Sequence, residues 1–312
     1  MSWQEFLRGK RKRNDVLEFQ LHFMDNILLL QQELKNKTYR HGRYQAFKIN
    51  DPKPRDIHKA SVRDRLVHHA IYRILYPYFN KLFIYDSYSC RIDKGTHKAI
   101  NRFRDFSLQV SKNNTKTIWI LKGDIRKFFA NIDHQILKNI LAKNIGDQDV
   151  LWLLSQVIDS FNGASKTGVG LPLGNLTSQL LVNIYMNEFD QFMKRELKTK
   201  FYLRYADDFV VLHENSDYLW TLIPKISEFL EQYLKLSLHP DKLSIKTLYS
   251  GVDFLGWVNY PKHRILRTKT KRRMLNRLEK NCDSQSLASY LGLLSHGNTF
   301  DLQKKLLDDY WL

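Results

Sequence analysis

The stretch YADDFVVL, residues 205–212, places two adjacent carboxylates, Asp207 and Asp208, at the tip of a pattern that predicts a buried β-hairpin. Repulsion between neighbouring carboxylates costs free energy unless a positive charge lies between or beside them. For a dipeptide that is common on surfaces, a solvated turn is the more frequent explanation. The chain carries a second pair, Asp308-Asp309, that follows a helical pattern and resembles a solvated helix end. The dipeptide alone therefore leaves a surface turn and a metal site both open.

The charge balance indicates a polyanionic partner. The 312 residues carry a formal net charge of +18, and 13% of them are aromatic. A basic surface with interleaved aromatic side chains suits nucleic acid better than an anionic membrane surface. Residues 262–280 concentrate this charge, with nine Lys or Arg against one Glu, although a solvated helix face has the same pattern. We expect this segment to follow a nucleic acid backbone through Arg267, Lys269, Lys271, Arg272 and Arg273.

The cysteine and hydropathy patterns exclude several other classes of protein. The two cysteines, Cys90 and Cys282, lie far apart and form no CxxC motif, which argues against a disulfide framework and a cysteine-based zinc site. No apolar run of roughly 18 residues without charges occurs, so the sequence predicts no membrane span. We therefore expect a cytoplasmic protein in a reducing environment.

The order of elements predicts an α+β fold with an antiparallel sheet. Residues 118–124 have the pattern of a buried strand that ends at Asp124, and two further strand-like runs, LSIKTLY and VDFLGWVNY, follow the hairpin. Apolar periodicity predicts helices over 14–37 with Asn14 as the cap, 63–83, two stretches within 134–161, 176–197, 217–235 and the basic C-terminal part. The polar, proline-containing residues 39–62 are predicted to form a loop or short hairpin. The glycine-rich residues 163–175 are predicted to form a loop between helices.

A strand at 118–124 beside the hairpin would bring Asp124 near Asp207 and Asp208, because neighbouring strands lie ~4.8 Å apart. Three carboxylates in one place can hold two divalent ions ~3.5–4 Å apart, which activate an attacking oxygen and stabilise a leaving one. Mg²⁺ suits such a site because it prefers hard oxygen ligands and keeps some of its water. The expected cofactor is two Mg²⁺ ions, with Mn²⁺ as the alternative.

With these three carboxylates the chain resembles a reverse transcriptase. YADD and LKGDIRKFFANIDH (121–134) are similar to the two catalytic motifs of that family. Further similar segments occur in the family's order: RDIHKASVRDRLVHHAI (55–71), SYSCRIDKGTHKAI (87–100), LPLGNLTSQLLVNIYMNEFD (171–190), LSLHPDKLSI (236–245) and VDFLGW (252–257). The resemblance implies a right-hand polymerase with fingers at 1–115 including the N-terminal helix, a palm at 116–258 and a short, basic, helical thumb at 259–312.

The resemblance also implies how the catalytic positions act. Asp124 and Asp207 would bind the metal ions, Asp208 would lie beside them, and the backbone of Ile125 would add a ligand. Phe129 falls at the family's aromatic steric gate, where a ring collides with a 2′-hydroxyl and selects deoxynucleotides. Core packing would also explain this residue, because most Phe side chains are buried.

Substrate positions follow from the same resemblance. The positions implied to bind the incoming nucleotide are Lys48, Arg55, Phe129, Leu173, Gly174, Gln179 and Lys242. Arg55 and Lys48 have suitable chemistry, since Arg clamps phosphate oxygens and Lys supplies a point charge, although both could be solvated cations. Gly256 and Trp257 would form part of the primer grip, while a tight strand bend equally explains the glycine.

The segment LPLGNLTSQ (171–179) narrows the resemblance. Retron and group II intron enzymes usually read LPQGxxxSP here, whereas this chain has Leu173 for the glutamine and Gln179 for the proline. This pattern, together with SYLGLLSHGNTFDL (289–302), resembles the reverse transcriptases of diversity-generating retroelements in bacteria and phages. Those enzymes copy a template-repeat RNA into cDNA with errors opposite template adenines, for mutagenic retrohoming. The resemblance implies an RNA template, a small basic accessory protein and a bacterial cytoplasm, including that of a phage host.

Other functions remain open from the sequence. A stand-alone antiphage-defence reverse transcriptase shares the palm and differs in its neighbouring genes. A catalytically inactive palm-fold protein that only binds RNA is a different class, against which the three carboxylates and the aromatic residue at 129 argue. An RNA-dependent RNA polymerase fits less well, because Phe129 would obstruct ribonucleotides.

Overall fold

The computed structural model describes residues 2–50, 54–163, 167–280 and 282–310. Its helices are α1 (Ser2–Phe6), α2 (Asn14–Leu21), α3 (Phe23–Lys35), α4 (Val62–Leu82), α5 (Thr96–Val110), α6 (His134–Asn144), α7 (Gln148–Asp159), α8 (Leu176–Gln191), α9 (Ser216–Leu234), α10 (Thr268–Lys280), α11 (Ser284–Leu294) and α12 (Phe300–Tyr310). Across these ranges, none of the helices combines the length and apolar character needed to span a membrane.

The strands are short and pair antiparallel. They are β1 (Gln45–Ile49), β2 (Arg55–Lys59), β3 (Trp119–Asp124), β4 (Tyr202–Tyr205), β5 (Asp208–His213), β6 (Ser244–Thr247), β7 (Val252–Phe254), β8 (Trp257–Asn259) and β9 (Arg264–Leu266). Within the described part of the chain they form three sheets, ordered β1-β2, β4-β5-β3-β6 and β7-β8-β9. Mixed helices with antiparallel sheets confirm the predicted α+β class, and the predicted strand ending at Asp124 and the hairpin around 206–207 are confirmed with it.

The elements belong to two compact units. Unit 1 comprises Met1–Tyr85, Ile125–Glu196 and Ile226–Leu238, and unit 2 comprises Asp86–Asp124, Leu197–Lys225 and His239–Leu312. The chain therefore enters each unit three times, so neither unit is a continuous segment. The boundaries of fingers, palm and thumb at 115 and 258 stay a prediction.

Unit 1 is built around α4, which packs against α8 and the N-terminal helices. The prediction for residues 39–62 was a loop or a short hairpin, and the hairpin β1-β2 confirms the second. Residues 51–53 lie outside the described residues. Helix α8 begins at Leu176 as predicted and ends as an α-helix at Gln191, with a π-helical turn over Phe192–Glu196. Of the predicted connection at 163–175, residues 164–166 lie outside the described part of the chain.

The N-terminal helix departs from the prediction. The expected single helix over 14–37 is interrupted at His22, whose φ of −115° and ψ of 40° are not helical, so two helices replace one. Asn14 is also not the cap, because the extended residue before the helix is Arg13 and it makes no side-chain cap. The apolar stripe that suggested a continuous amphipathic helix leaves Leu21 and Met24 80% and 64% exposed. Periodicity alone could not show that the backbone is non-helical at His22 or that Leu21 and Met24 lie outside the core.

Unit 2 packs its four-stranded sheet tightly at one position beside the end of β3. Gly123 lies opposite Phe209 in the register of β3 and β5. A Cβ atom on Gly123 would come within 2.2 Å of the Phe209 ring, so the ring fills the space that any side chain would need. Phe209 itself is fully buried. Because this position is a glycine, the Phe209 ring can pack against the main chain of β3 next to Asp124.

We predict that Gly123→Ala destabilises the fold by about 1–3 kcal/mol, because the added methyl group displaces the Phe209 ring in a packed core. The free energy of unfolding from urea titration measures this change. Gly292→Ala is the matched control, since Gly292 lies in α11 and a Cβ atom added there would meet no neighbouring atom within 4 Å. The control should be neutral or gain up to about 1 kcal/mol from helix propensity. Equal stabilities of the two variants would contradict the packing argument.

Candidate active site

Strand pairing in unit 2 brings the predicted carboxylates together. Asp124, the last residue of β3, lies directly opposite Asp208, the first residue of β5. Asp207 precedes it in the two-residue turn that joins β4 to β5, where Ala206 adopts a φ of +54°. Asp124 is buried, whereas Asp207 and Asp208 are partly buried. Three carboxylates predicted from separate motifs therefore lie at one end of the sheet.

A buried arginine supports the turn. The guanidinium of Arg204 donates from Nη1 to the carbonyl of Ala206 at 2.9 Å and from Nη2 to Ser87 Oγ at 3.1 Å. Its main chain donates to the Asp86 carbonyl and accepts from the Tyr88 N–H, each at 2.9 Å. Arg204 is only 1% exposed. Sequence reasoning missed this residue, and the available signal was an arginine within the otherwise apolar strand YLRY.

Two lysines partly balance the carboxylates. Lys242 Nζ lies 2.8 Å from each carboxylate oxygen of Asp124. Burial raises the pKa of Asp208 to about 6, and repulsion from Asp207 and Asp124 adds to this rise, while the positive charges of Lys122 and Lys242 oppose it. Lys122, which the sequence analysis did not single out, also donates to the Asp253 carbonyl at 2.7 Å. The site thus has more negative charge than its own lysines neutralise.

The carboxylates fit a divalent cation by chemistry rather than by a finished ligand shell. In the described residues, no group of three or more His, Cys, Asp or Glu is arranged to hold a metal ion. The oxygens of Asp124, Asp207 and Asp208 are hard ligands, and a cation among them would offset the repulsion that Asp207 and Asp124 exert on Asp208. The main chain of Ile125, the other predicted ligand, pairs with Leu238 within unit 1.

Unit 1 collects most of the residues predicted to bind the nucleotide. The Leu173 carbonyl accepts the His58 N–H of β2 at 3.0 Å, and Gly174 with its φ of +102° approaches Ile57 so closely that a Cβ would lie 2.8 Å from it. The carbonyl of Phe129 accepts the Leu171 N–H at 2.8 Å. The segment LPLG (171–174) therefore contacts both Phe129, the predicted steric gate, and the β1-β2 hairpin.

The remaining predicted nucleotide residues in unit 1 are exposed. Lys48 and Arg55 lie on the exposed strands β1 and β2, and Gln179 lies in the first turn of α8. Phe129 is half-buried, whereas its neighbour Phe128 is buried. Simple core packing therefore describes Phe128 better than Phe129.

The predicted primer grip is a two-residue hairpin turn between β7 and β8. Leu255 and Gly256 both have positive φ, +52° and +88°, so the glycine has a conformational reason to be there. The Trp257 side chain is 1% exposed and packs in the core formed with α10, α11 and α12. Of the two predicted residues, Trp257 is buried and Gly256 is partly exposed.

The predicted basic helix is confirmed as α10, with Met274 and Leu278 as its buried side. Lys269, Lys271, Arg272 and Arg273 are exposed, as contact with a polyanion requires. Arg267 precedes the helix and forms an ion pair with Asp253, which partly neutralises its charge.

We predict that Asp208→Asn stabilises the fold more at neutral pH than at pH 4 in buffer without divalent ions. The pKa of Asp208 is about 6 in the folded state, which is above its value in the unfolded chain. The carboxyl group therefore destabilises the fold when it is ionised, and this destabilisation grows as the pH rises through 6. The gain on substitution should therefore grow between about pH 4 and 7 by roughly 1–3 kcal/mol. Urea titrations at several pH values measure it, with exposed Asp308→Asn as the control. A gain that does not change with pH would contradict the raised pKa.

Two curated proteins show how far the similarity of this chain extends. Protein YkfC of Escherichia coli K12 is 28% identical over 251 residues, covering 68% of this chain and 63% of YkfC. The group II intron-encoded protein LtrA of Lactococcus lactis is 31% identical over 182 residues, covering 54% of this chain and 28% of LtrA. The chain thus spans less than two thirds of the length of either relative.

Solved structures show the same fold. The apo telomerase of Candida Tropicalis superposes with a TM-score of 0.58 at 14% identity, covering 86% of this chain and 56% of the telomerase chain. The telomerase of Candida albicans, solved with a fragment of telomeric RNA, gives 0.54 at 12% identity, covering 73% and 45%. This similarity confirms the predicted right-hand polymerase fold.

Residues 48–259 match the family described as reverse transcriptase (RNA-dependent DNA polymerase). The matched range includes all three carboxylates, Lys242 and the turn between β7 and β8, and it spans more than half of the chain. The chain belongs to the reverse transcriptase family.

Proposed function

We propose that this chain is an RNA-directed DNA polymerase that makes cDNA from an RNA template. The observation that carries the proposal is the register of β3 against β5, which sets Asp124 opposite Asp208 beside Asp207. Membership of the reverse transcriptase family supports the activity. The net charge of +18 and the exposed cations of α10 support a nucleic acid partner.

Asp124 and Asp207, with Asp208 beside them, are the side chains that would hold two Mg²⁺ ions, with Mn²⁺ as the alternative. When bound, the ions would activate a primer 3′-hydroxyl and stabilise the leaving oxygen of a nucleoside triphosphate. The protein's own contribution is positioning, because the sheet and the Arg204 guanidinium hold the carboxylates before substrate arrives. Lys242 adds a positive charge near the place where phosphate charge develops.

We predict that Asp207→Ala abolishes nucleotide incorporation and leaves RNA binding nearly unchanged, because the carboxylate attracts phosphate only through a cation. Primer extension on an RNA template with dNTPs and Mg²⁺ measures the first effect, and a filter-binding titration measures the second. Asp308→Ala is the matched control, since it lies in an adjacent acidic pair on the exposed face of α12. Synthesis by the Asp207 variant would remove these carboxylates from the mechanism. Absence of synthesis by the unaltered protein, with the accessory protein also supplied, would favour an RNA-binding palm without catalysis.

We propose that Phe129 is the steric gate, supported by its family position and its half-buried ring. Phe129→Ala should relax the preference for dNTPs over rNTPs by roughly 10- to 200-fold, the range that one steric contact in a pocket supplies. The ratio of kcat/KM values for the two nucleotides measures it. Phe128→Leu changes the buried neighbouring ring and should lower stability without altering the ratio. An unchanged ratio for Phe129→Ala would assign this ring to packing.

We further propose the diversity-generating subclass, with error-prone copying of a template-repeat RNA and a small basic accessory protein as partner. The support is the LPLGNLTSQ segment, in which Leu173 replaces a glutamine that could hydrogen-bond near the template–nucleotide pair. The setting that suits it is the cytoplasm of a bacterium or of a phage host, where the exposed thiols of Cys90 and Cys282 stay reduced.

We predict that the cDNA carries errors concentrated opposite template adenines and that Leu173→Gln lowers their frequency, because an amide side chain restrains the pair. Sequencing the product made with dNTPs and Mg²⁺, with the accessory protein added if the chain is inactive alone, measures both. Leu173→Met keeps an apolar side chain of similar size and should leave the errors unchanged. Accurate cDNA from the unaltered protein would favour the antiphage-defence class.

A further inference from the structure

Unit 2 contains a polar cavity that includes none of the residues proposed for catalysis. Its volume is about 370 Å³, within the usual range for small-ligand sites. Its walls are α5, the turn between β8 and β9, and the loop between α11 and α12. We call it the hairpin pocket.

The charge of the hairpin pocket is positive only. Arg104, Lys262 and Arg264 line it together with His263 and His296. Among the described residues that line it, no Asp or Glu is present. Cations gathered without a counter-ion repel one another, so the folded chain gains free energy when an anion enters between them.

One guanidinium in this pocket has an unused donor. Arg264 donates from Nη2 to Asn101 Oδ1 at 2.8 Å, while its Nη1 is buried and has no hydrogen-bond partner in the described residues. Burial lowers the pKa of the Arg264 guanidinium, and the positive charge of Arg104 lowers it further. A buried N–H group without an acceptor costs free energy, which an anionic oxygen would recover.

We propose that the hairpin pocket binds a phosphate group, carried either by the backbone of a nucleic acid strand or by a free nucleotide. Two guanidinium groups and an ammonium match the planar and point-charge recognition of phosphate oxygens. The pocket is larger than one phosphate, and stacked rings adjoin it: Tyr260 with His263 at 4.9 Å, and His296 with His97 at 3.7 Å between centroids. Such rings are surfaces on which a base can stack.

The test compares an Arg104→Gln/Arg264→Gln variant with a Lys98→Gln/Lys246→Gln control. Both lose two positive charges from unit 2, but the control residues are exposed and do not line the pocket. Binding of a labelled single-stranded RNA to the full chain is measured over a range of salt concentrations without Mg²⁺ or dNTPs. Shifts of Tm with inorganic phosphate and with AMP are measured separately. Neither readout needs synthesis, so a failure here is distinct from a failure of the proposed polymerase activity.

For a backbone phosphate, we expect RNA affinity to fall about tenfold below the control, which corresponds to about 1.4 kcal/mol, with a salt slope smaller by about one. For a free nucleotide, phosphate and AMP should raise the Tm of the unaltered and control proteins but not that of the pocket variant. RNA binding and Tm shifts equal to those of the control would overturn the proposal. Arg104→Gln alone, at an exposed residue, keeps the test decisive if the double variant unfolds.

Discussion

The like charges that meet across β3 and β5 are the constraint on which unit 2 depends. Asp124 lies opposite Asp208, and the turn adds Asp207 beside them. Bringing carboxylates out of water and together costs free energy, and the raised pKa of Asp208 records that cost. Lys122 and Lys242 offset only part of it. The sheet therefore holds these acidic side chains at a cost in stability, which is common at functional sites.

Tight packing around the carboxylates makes that arrangement hold. The Phe209 ring lies against Gly123 and fills the space that a side chain at this position of β3 would need. The buried guanidinium of Arg204 holds the Ala206 carbonyl and links the turn to the segment that begins at Asp86. For the polymerase that we propose, carboxylates already held by the sheet and the turn would need little reorganisation when substrate binds.

Much of the fold follows from local patterns, and the exceptions have physical causes. The strand that ends at Asp124, the hairpin and most helices are strongly periodic, and the structure contains them. The prediction of one continuous helix across His22 was wrong, because an apolar stripe does not show that the backbone is non-helical at a single residue. Arg204 was missed because an arginine in a strand is usually exposed, and only the fold shows that this one is buried.

By itself, the sequence determined the family, the strand and turn that carry the three carboxylates, and the basic character of α10. The strand, the turn and the helix depend on residues close together in the chain, and the family is identified by short motifs that follow one another in order. The tertiary structure alone decided which charges meet: Lys242 on Asp124, Arg204 under the turn, and Arg104 with Arg264 in a pocket without acid. Lys242 is 118 residues from Asp124 in the chain, and Arg204 is 117 residues from Ser87, which also binds its guanidinium. Strand register and packing bring these residues together, and local periodicity does not predict these contacts.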